Sequence, residues 1–180
     1  DDKIVCFFGG KYYNLHGYDL TTHFEENADK IEKFNPKKVY SVVYYNGEKE
    51  NYFVKRFSLE PSEKPQHFLD DHKKTRVVYF TDEKCPRVEL EFDNSNRKKE
   101  RENEEINLAE FIDVKSFKAM GNRLSKFDIK KVKVLEPLTC EEDDEQSNDN
   151  QEEPIENNID PEGNQEDDDQ GLDQMELNLD

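Results

Sequence analysis

Apolar residues fall along the chain in strand-length clusters separated by turn signals. Residues 3–8 (KIVCFF) are β-branched and aromatic and run into Gly9-Gly10, after which residues 11–15 (KYYNL) resume strand character, the pattern of a hairpin. Residues 39–45 (VYSVVYY) show no polar face, so a strand covered on both sides is expected. Asn46-Gly47 predicts a turn with positive φ, and residues 52–59 its partner strand, ended by Pro61 and Pro65. Residues 76–80 (RVVYF), a turn over 81–86 and residues 87–92 form another unit, in which Val88, Leu90 and Phe92 alternate with Glu89 and Glu91, giving one dry and one wet face. Residues 106–114 and 129–135 are the last strand candidates, with a turn near Gly121-Asn122 between them. The segment 19–33 stays open between two readings. Its helix formers and a candidate Thr22 cap suit a short helix, whereas the thin stripe of Phe24, Ala28, Ile31 and Phe34 admits a strand centred on Ile31.

The pattern repeats. Leu135-Glu136-Pro137 matches Leu59-Glu60-Pro61, and each tripeptide closes a basic-apolar run: FVKRFSLEP at 53–61 and IKKVKVLEP at 129–137. Units beginning near Lys3, Val39 and Arg76 predict an all-β, propeller-like antiparallel repeat of about three blades. Three blades cannot close a ring, so two sheet edges need cover.

Charge divides the chain. Residues 141–180 carry 18 Asp/Glu and no Lys/Arg, leaving 26 of each sign in 1–140, so the net −18 belongs to the C-terminal extension. That extension has no aromatic residue and cannot offset about 1–2 kcal/mol of backbone entropy per ordered residue. It is read as a disordered acidic tail after a folded domain of residues 1–140, which holds all 12 Phe and 8 Tyr. No apolar run approaches the roughly 20 residues that span a bilayer, and no membrane partner is expected. Cys6, Cys85 and Cys140 are odd in number and widely spaced, which argues against a disulfide framework or a zinc site and suits a reducing cytoplasm. Asp1-Asp2, with a strand following at once, reads as the start of a piece of a longer chain.

Motifs for phosphate loops, nucleophile elbows, zinc proteases and dinucleotide folds are absent from the sequence, and His16, His23, His67 and His72 do not sit at ligand spacing. No catalytic site is expected in this segment. Cations are more informative: residues 111–137 hold seven Lys/Arg against three acids. In 129–135, alternation places Lys131 and Lys133 on one strand face and Val132 and Val134 on the other. Lys55 and Arg56, and Lys73, Lys74 and Arg76, fall at similar places in the repeat. Lys115, Lys118, Arg123 and Lys126 complete the candidate set. A belt of such cations around a rigid disc suits duplex DNA, because neutralising phosphates releases counterions without reading bases. The bland reading is that they balance the acids of a β protein. Residues 97–101 (RKKER), interrupted and followed by glutamates, read as a solvated loop.

YYNGEKENYFVKRFSLEPSEKP at 44–65, CPRVELEF at 85–92 and EFIDVKSFKAMGNRLSKFDIKKVKVLEP at 110–137 resemble the C-terminal domain of the A subunit of bacterial DNA topoisomerase IV, in the form found in Bacteroidetes-like sequences. The resemblance covers residues 3–138. It implies a partial β-pinwheel whose basic rim binds and bends duplex DNA, with Lys131, Lys133, Arg123, Lys118, Lys55, Arg56, Lys115 and Lys126 as phosphate contacts. It further implies a cytoplasmic, nucleoid-associated A2B2 enzyme that uses ATP and magnesium outside this segment, with the rest of the A subunit and the ATPase B subunit as partners. The glycine- and arginine-rich box of gyrase A subunits has no match; residues 118–123 (KAMGNR) hold one glycine. The cleaving tyrosine of the family lies in an upstream domain. Two alternatives stay open: a gyrase A domain, and a protein-interaction module with a chaperone-like acidic tail.

Overall fold

The described residues, 2–17 and 23–140 of a computed structural model, build three β-sheets and one helical turn. They lie within one compact unit, Asp1–Glu142. Thr22 and the acidic extension fall outside the described residues. The strands are β1 (Lys3–Phe8), β2 (Tyr12–Gly17), β3 (Lys30–Lys33), β4 (Val39–Asn46), β5 (Asn51–Ser58), β6 (Gln66–His67), β7 (Arg76–Thr81), β8 (Arg87–Phe92) and β9 (Glu104–Asn107). The turn α1 (Leu108–Phe111), β10 (Val114–Lys115), β11 (Asn122–Arg123) and β12 (Ile129–Leu135) follow. The first sheet runs β3-β1-β2-β6, the second β10-β5-β4-β7 with β11 also on β5, and the third β12-β8-β9. All pairings are antiparallel except β10 with β5. The all-β expectation therefore holds, and segment 19–33 resolves in favour of the strand at Ile31.

The central hairpin β4-β5 shows why VYSVVYY lacks a polar face. Tyr40, Val42 and Tyr44 point into a core shared with Val5, Phe7, Tyr13, Phe57 and Phe68, while Val43 and Val54 point into a second core with Val88, Leu90, Phe92 and Leu108. Each such buried side chain contributes about 1.5–3 kcal/mol relative to exposure. β4 is thus the wall between two cores, and period-2 alternation places apolar groups on both sides of it.

Several expectations are corrected. β7 and β8 do not form a hairpin: β7 pairs with β4, in register from Ser41↔Thr81 to Tyr45↔Arg76, whereas β8 starts the third sheet. The chain therefore passes strands between neighbouring sheets. The strand expected over 106–114 is broken after Asn107, whose side-chain oxygen accepts from the Ala109 N–H at 3.0 Å and caps α1. In the β4-β5 turn the positive φ belongs to Glu50 (51°), and Gly47 is not in the left-handed region. Glycine is nonetheless required at 47, since a Cβ would stand 2.2 Å from His72 Nδ1 and 2.8 Å from the Thr75 amide nitrogen. Cys85 and Cys140 are disulfide-bonded, with Cα atoms 6.1 Å apart, against the expectation of unpaired cysteines. The Leu138 N–H donates to the Cys85 carbonyl at 3.0 Å beside them. The two cysteines meet because β12 runs back along β8, which no sequence spacing reveals.

Candidate nucleic-acid interface

The candidate cations occupy three kinds of environment. Lys55, in β5, is only 3% exposed. Its ammonium donates to the carbonyls of Phe68, Phe117 (2.6 Å) and Ala119 (2.9 Å), stitching two loops onto the central sheet. Burial pushes its pKa down to about 8, and three acceptors match the three donors of an ammonium. Arg56, half-buried on the opposite face, donates from Nη1 to the carbonyls of Ala109 (3.1 Å) and Ile112 (3.3 Å). Burial also lowers its pKa, with Asp113 opposing. Lys55 is thereby committed to the interior and removed from any surface belt, whereas Arg56, at the edge of a concavity with Lys37 and Lys38, has its Nη1 already taken by two carbonyls. The central position of β5 is the cause, because both its faces are covered.

Lys133 is half-exposed between acids. Its Nζ lies 3.2 Å from Glu89 and 3.5 Å from Glu91 across the β8-β12 pair, and the Glu89 carboxylate, ahead of Glu91, raises its pKa. Glu91 also takes Lys130 at 3.2 Å. The register shift between Ile129 and Lys131 makes Lys130 the bulged residue, so Lys130 and Lys131 are both exposed. Val132 and Val134 do share the face expected of them, opposite Leu90 and Val88, but only Val132 is buried. Val134 is 48% exposed at the end of an edge strand, beyond the covered part of the core.

The third environment is open surface. Lys131, Lys115, Lys118, Arg123 and Lys126 are exposed and have no ion-pair partner among the described residues. Arg123 on β11 reaches the Lys126 carbonyl at 3.5 Å, and the Lys126 ammonium lies 5.1 Å from the Phe127 ring centre. Two cations that the sequence reading left in a solvated loop join them there: the guanidinium carbons of Arg101 and Arg97 lie 3.3 and 5.0 Å from the same ring centre. The only signal for this in the sequence was the RKKER run itself; its return onto Phe127 is a tertiary contact. Of the boundary cations, Lys74 pairs with Glu50 at 2.9 Å, Arg76 lies over Tyr45 at 4.5 Å, and Lys73 is exposed. The candidate cations thus fall into three environments, buried, paired with carboxylates, or exposed and unpaired.

A model of the topoisomerase C-terminal domain of Bacteroidota matches residues 1–136. The chain belongs to that family. No curated protein and no solved structure matches it. In this topoisomerase domain the surface can do one kind of chemistry with the groups just described, which is to hold an anion by charge and by N–H donors. Among the described residues, no cluster of three or more His, Cys, Asp or Glu could hold a metal ion, and no helix is long and apolar enough to cross a membrane.

Proposed function

We propose that this topoisomerase domain binds and bends duplex DNA for the A subunit of a topoisomerase IV, through phosphate contacts from its exposed, unpaired cations. Lys131, Arg123, Lys126, Lys118 and Lys115 make those contacts, and Lys133 contributes once Glu89 and Glu91 are displaced or screened. The observation that carries this reading is the sorting of the candidate cations: Lys115, Lys118, Arg123, Lys126 and Lys131 are exposed, lack a carboxylate partner among the described residues, and lie at or near β10, β11 and β12, whereas Lys55 and Arg56 are taken up by backbone carbonyls. The domain positions the duplex; ATP, magnesium and the B subunit act elsewhere in a cytoplasmic, nucleoid-associated A2B2 enzyme. Affinity then depends steeply on salt, because each phosphate contact releases condensed counterions.

The 18 acids of residues 141–180 are an intramolecular competitor for the same cations. Removing residues 141–180 should tighten binding to random-sequence duplex at low salt and have less effect at high salt, where the attraction is screened. Fluorescence anisotropy across a salt series tests both statements. A chain with no salt-dependent affinity for duplex is not a DNA-binding domain, and unchanged affinity after truncation ends the competition.

A further inference from the structure

We propose that Arg97 and Arg101, held on the ring of Phe127, form an oxyanion clasp for a backbone phosphate of the duplex, an inference that rests on the DNA-binding reading above. The ring is itself fixed. Phe127 meets Phe92 edge to face, centroids 6.2 Å apart at 90°, and Phe92 is a buried member of the second core. The loop that carries the arginines is closed by hydrogen bonds rather than loose. The Asn94 side chain accepts from the Arg101 N–H at 2.9 Å and donates to the Arg101 carbonyl at 3.2 Å, while the Arg97 N–H donates to the Asn94 carbonyl at 3.2 Å.

Against this frame the Arg101 guanidinium stacks 3.3 Å from the Phe127 ring centre, with Arg97 at 5.0 Å and Lys126 at 5.1 Å. Stacking satisfies the face of a guanidinium and leaves its edge donors unused. Neither Arg97 nor Arg101 has an ion pair or a side-chain hydrogen bond among the described residues, and the Arg101 Nε is buried without a partner. Carboxylates are near at hand. Glu100 and Glu102 line the same open concavity of about 460 Å³ with Arg97, Lys99 and Arg101, yet the arginines turn to the ring. Three cations converging on one aromatic group repel each other, and a phosphate bound between them relieves that repulsion. A planar fork of N–H donors matches two phosphate oxygens at once. Lys98 and Lys99 stand exposed on the same loop and extend the track for the backbone.

The test uses the full chain and a labelled random-sequence duplex in a salt series. R97Q/R101Q should lower affinity about tenfold at low salt and flatten the slope of log affinity against log salt by about 2, with no preference among sequences. F127L leaves every charge in place but removes the platform, so it should weaken binding, with a modest fall in melting temperature because Phe127 packs against the second core. Circular dichroism checks folding for both variants, and because R97Q/R101Q leaves Phe127 and its packing on Phe92 in place it stands if F127L unfolds. If R97Q/R101Q binds with unaltered affinity and slope while the unsubstituted chain binds in a salt-dependent way, the clasp is wrong and the DNA-binding reading survives. If the unsubstituted chain shows no salt-dependent binding, both fall.

Discussion

The chain contains the same kind of phrase twice, VKRFSLEP at 54–61 and KVKVLEP at 131–137, and puts them on different kinds of strand. In the first, on the central strand β5, Lys55 is buried and its ammonium is divided among three carbonyls. In the second, on the edge strand β12, Lys131 is exposed and unpaired and Lys133 faces two glutamates. Local sequence is alike; sheet position differs. A lysine on a strand covered on both faces must find acceptors inside or unfold the site, because an unpaired buried charge costs several kcal/mol. A lysine on an edge strand keeps its hydration and its charge for a partner. The contrast separates cations that hold the topoisomerase domain together from cations left free to take an external anion.

The sharpest way to break the contrast is to remove the buried member. Lys55→Met fills the space but leaves the carbonyls of Phe68, Phe117 and Ala119 without their donor, so it should destabilise the domain by about 3 kcal/mol. Urea unfolding followed by circular dichroism measures this. A loss below about 1 kcal/mol would mean that water replaces the ammonium, and that Lys55 is closer to a surface group than its burial implies.

A smaller effect comes from a mixed environment, the half-buried cluster where Asp82 accepts from Lys30 at 2.8 Å and also pairs with Lys38. Burial alone would raise the Asp82 pKa, but hydrogen bonds and charge from the two lysines outweigh it and hold it at about 2. A carboxyl whose folded pKa lies below its unfolded value stabilises the fold above that unfolded value. The contribution is lost as pH falls from about 4 through about 2. Asp82→Asn should therefore cost about 1 kcal/mol at neutral pH, allowing for partial exposure, and should flatten the fall in stability below pH 4. Glu32, which accepts from Tyr40 and Lys38 and whose pKa is also lowered, leaves a residual slope. An acid limb identical in the variant and the parent would contradict the network. The smallest effect sharpens the edge-strand half of the contrast. Val134→Thr should change stability by less than about 0.5 kcal/mol, since the side chain is already half in water.

Much of this architecture was legible in the residues. The run VYSVVYY announced a strand with two dry faces, and the alternation of Val88, Leu90 and Phe92 with Glu89 and Glu91 announced one dry and one wet face. What could not be read was partnership between sheets. Nothing near Arg76 states that β7 joins β4 rather than β8, because strand pairing is decided by which exposed edge the chain reaches, not by local propensity. Site residues failed in the same way. Charge and period place Lys55 and Lys131 alike, and only the covering of β5 by elements far along the chain, Phe117 and Ala119 among them, tells them apart. Gly47 shows a milder version: the turn was foreseen, but the need for glycine comes from His72 and Thr75 rather than from its own φ. The meeting of Arg97 and Arg101 with Phe127 belongs to the same class of long-range contact.

The salt dependence of duplex affinity, measured for the full chain beside Lys126→Glu/Lys131→Glu, tests the division of cations most directly. A negative slope of log affinity against log salt is expected for the unsubstituted chain. In the variant the slope should be shallower by about 2, with melting unchanged. Equal slopes for the two chains, or binding that ignores salt, would contradict that division.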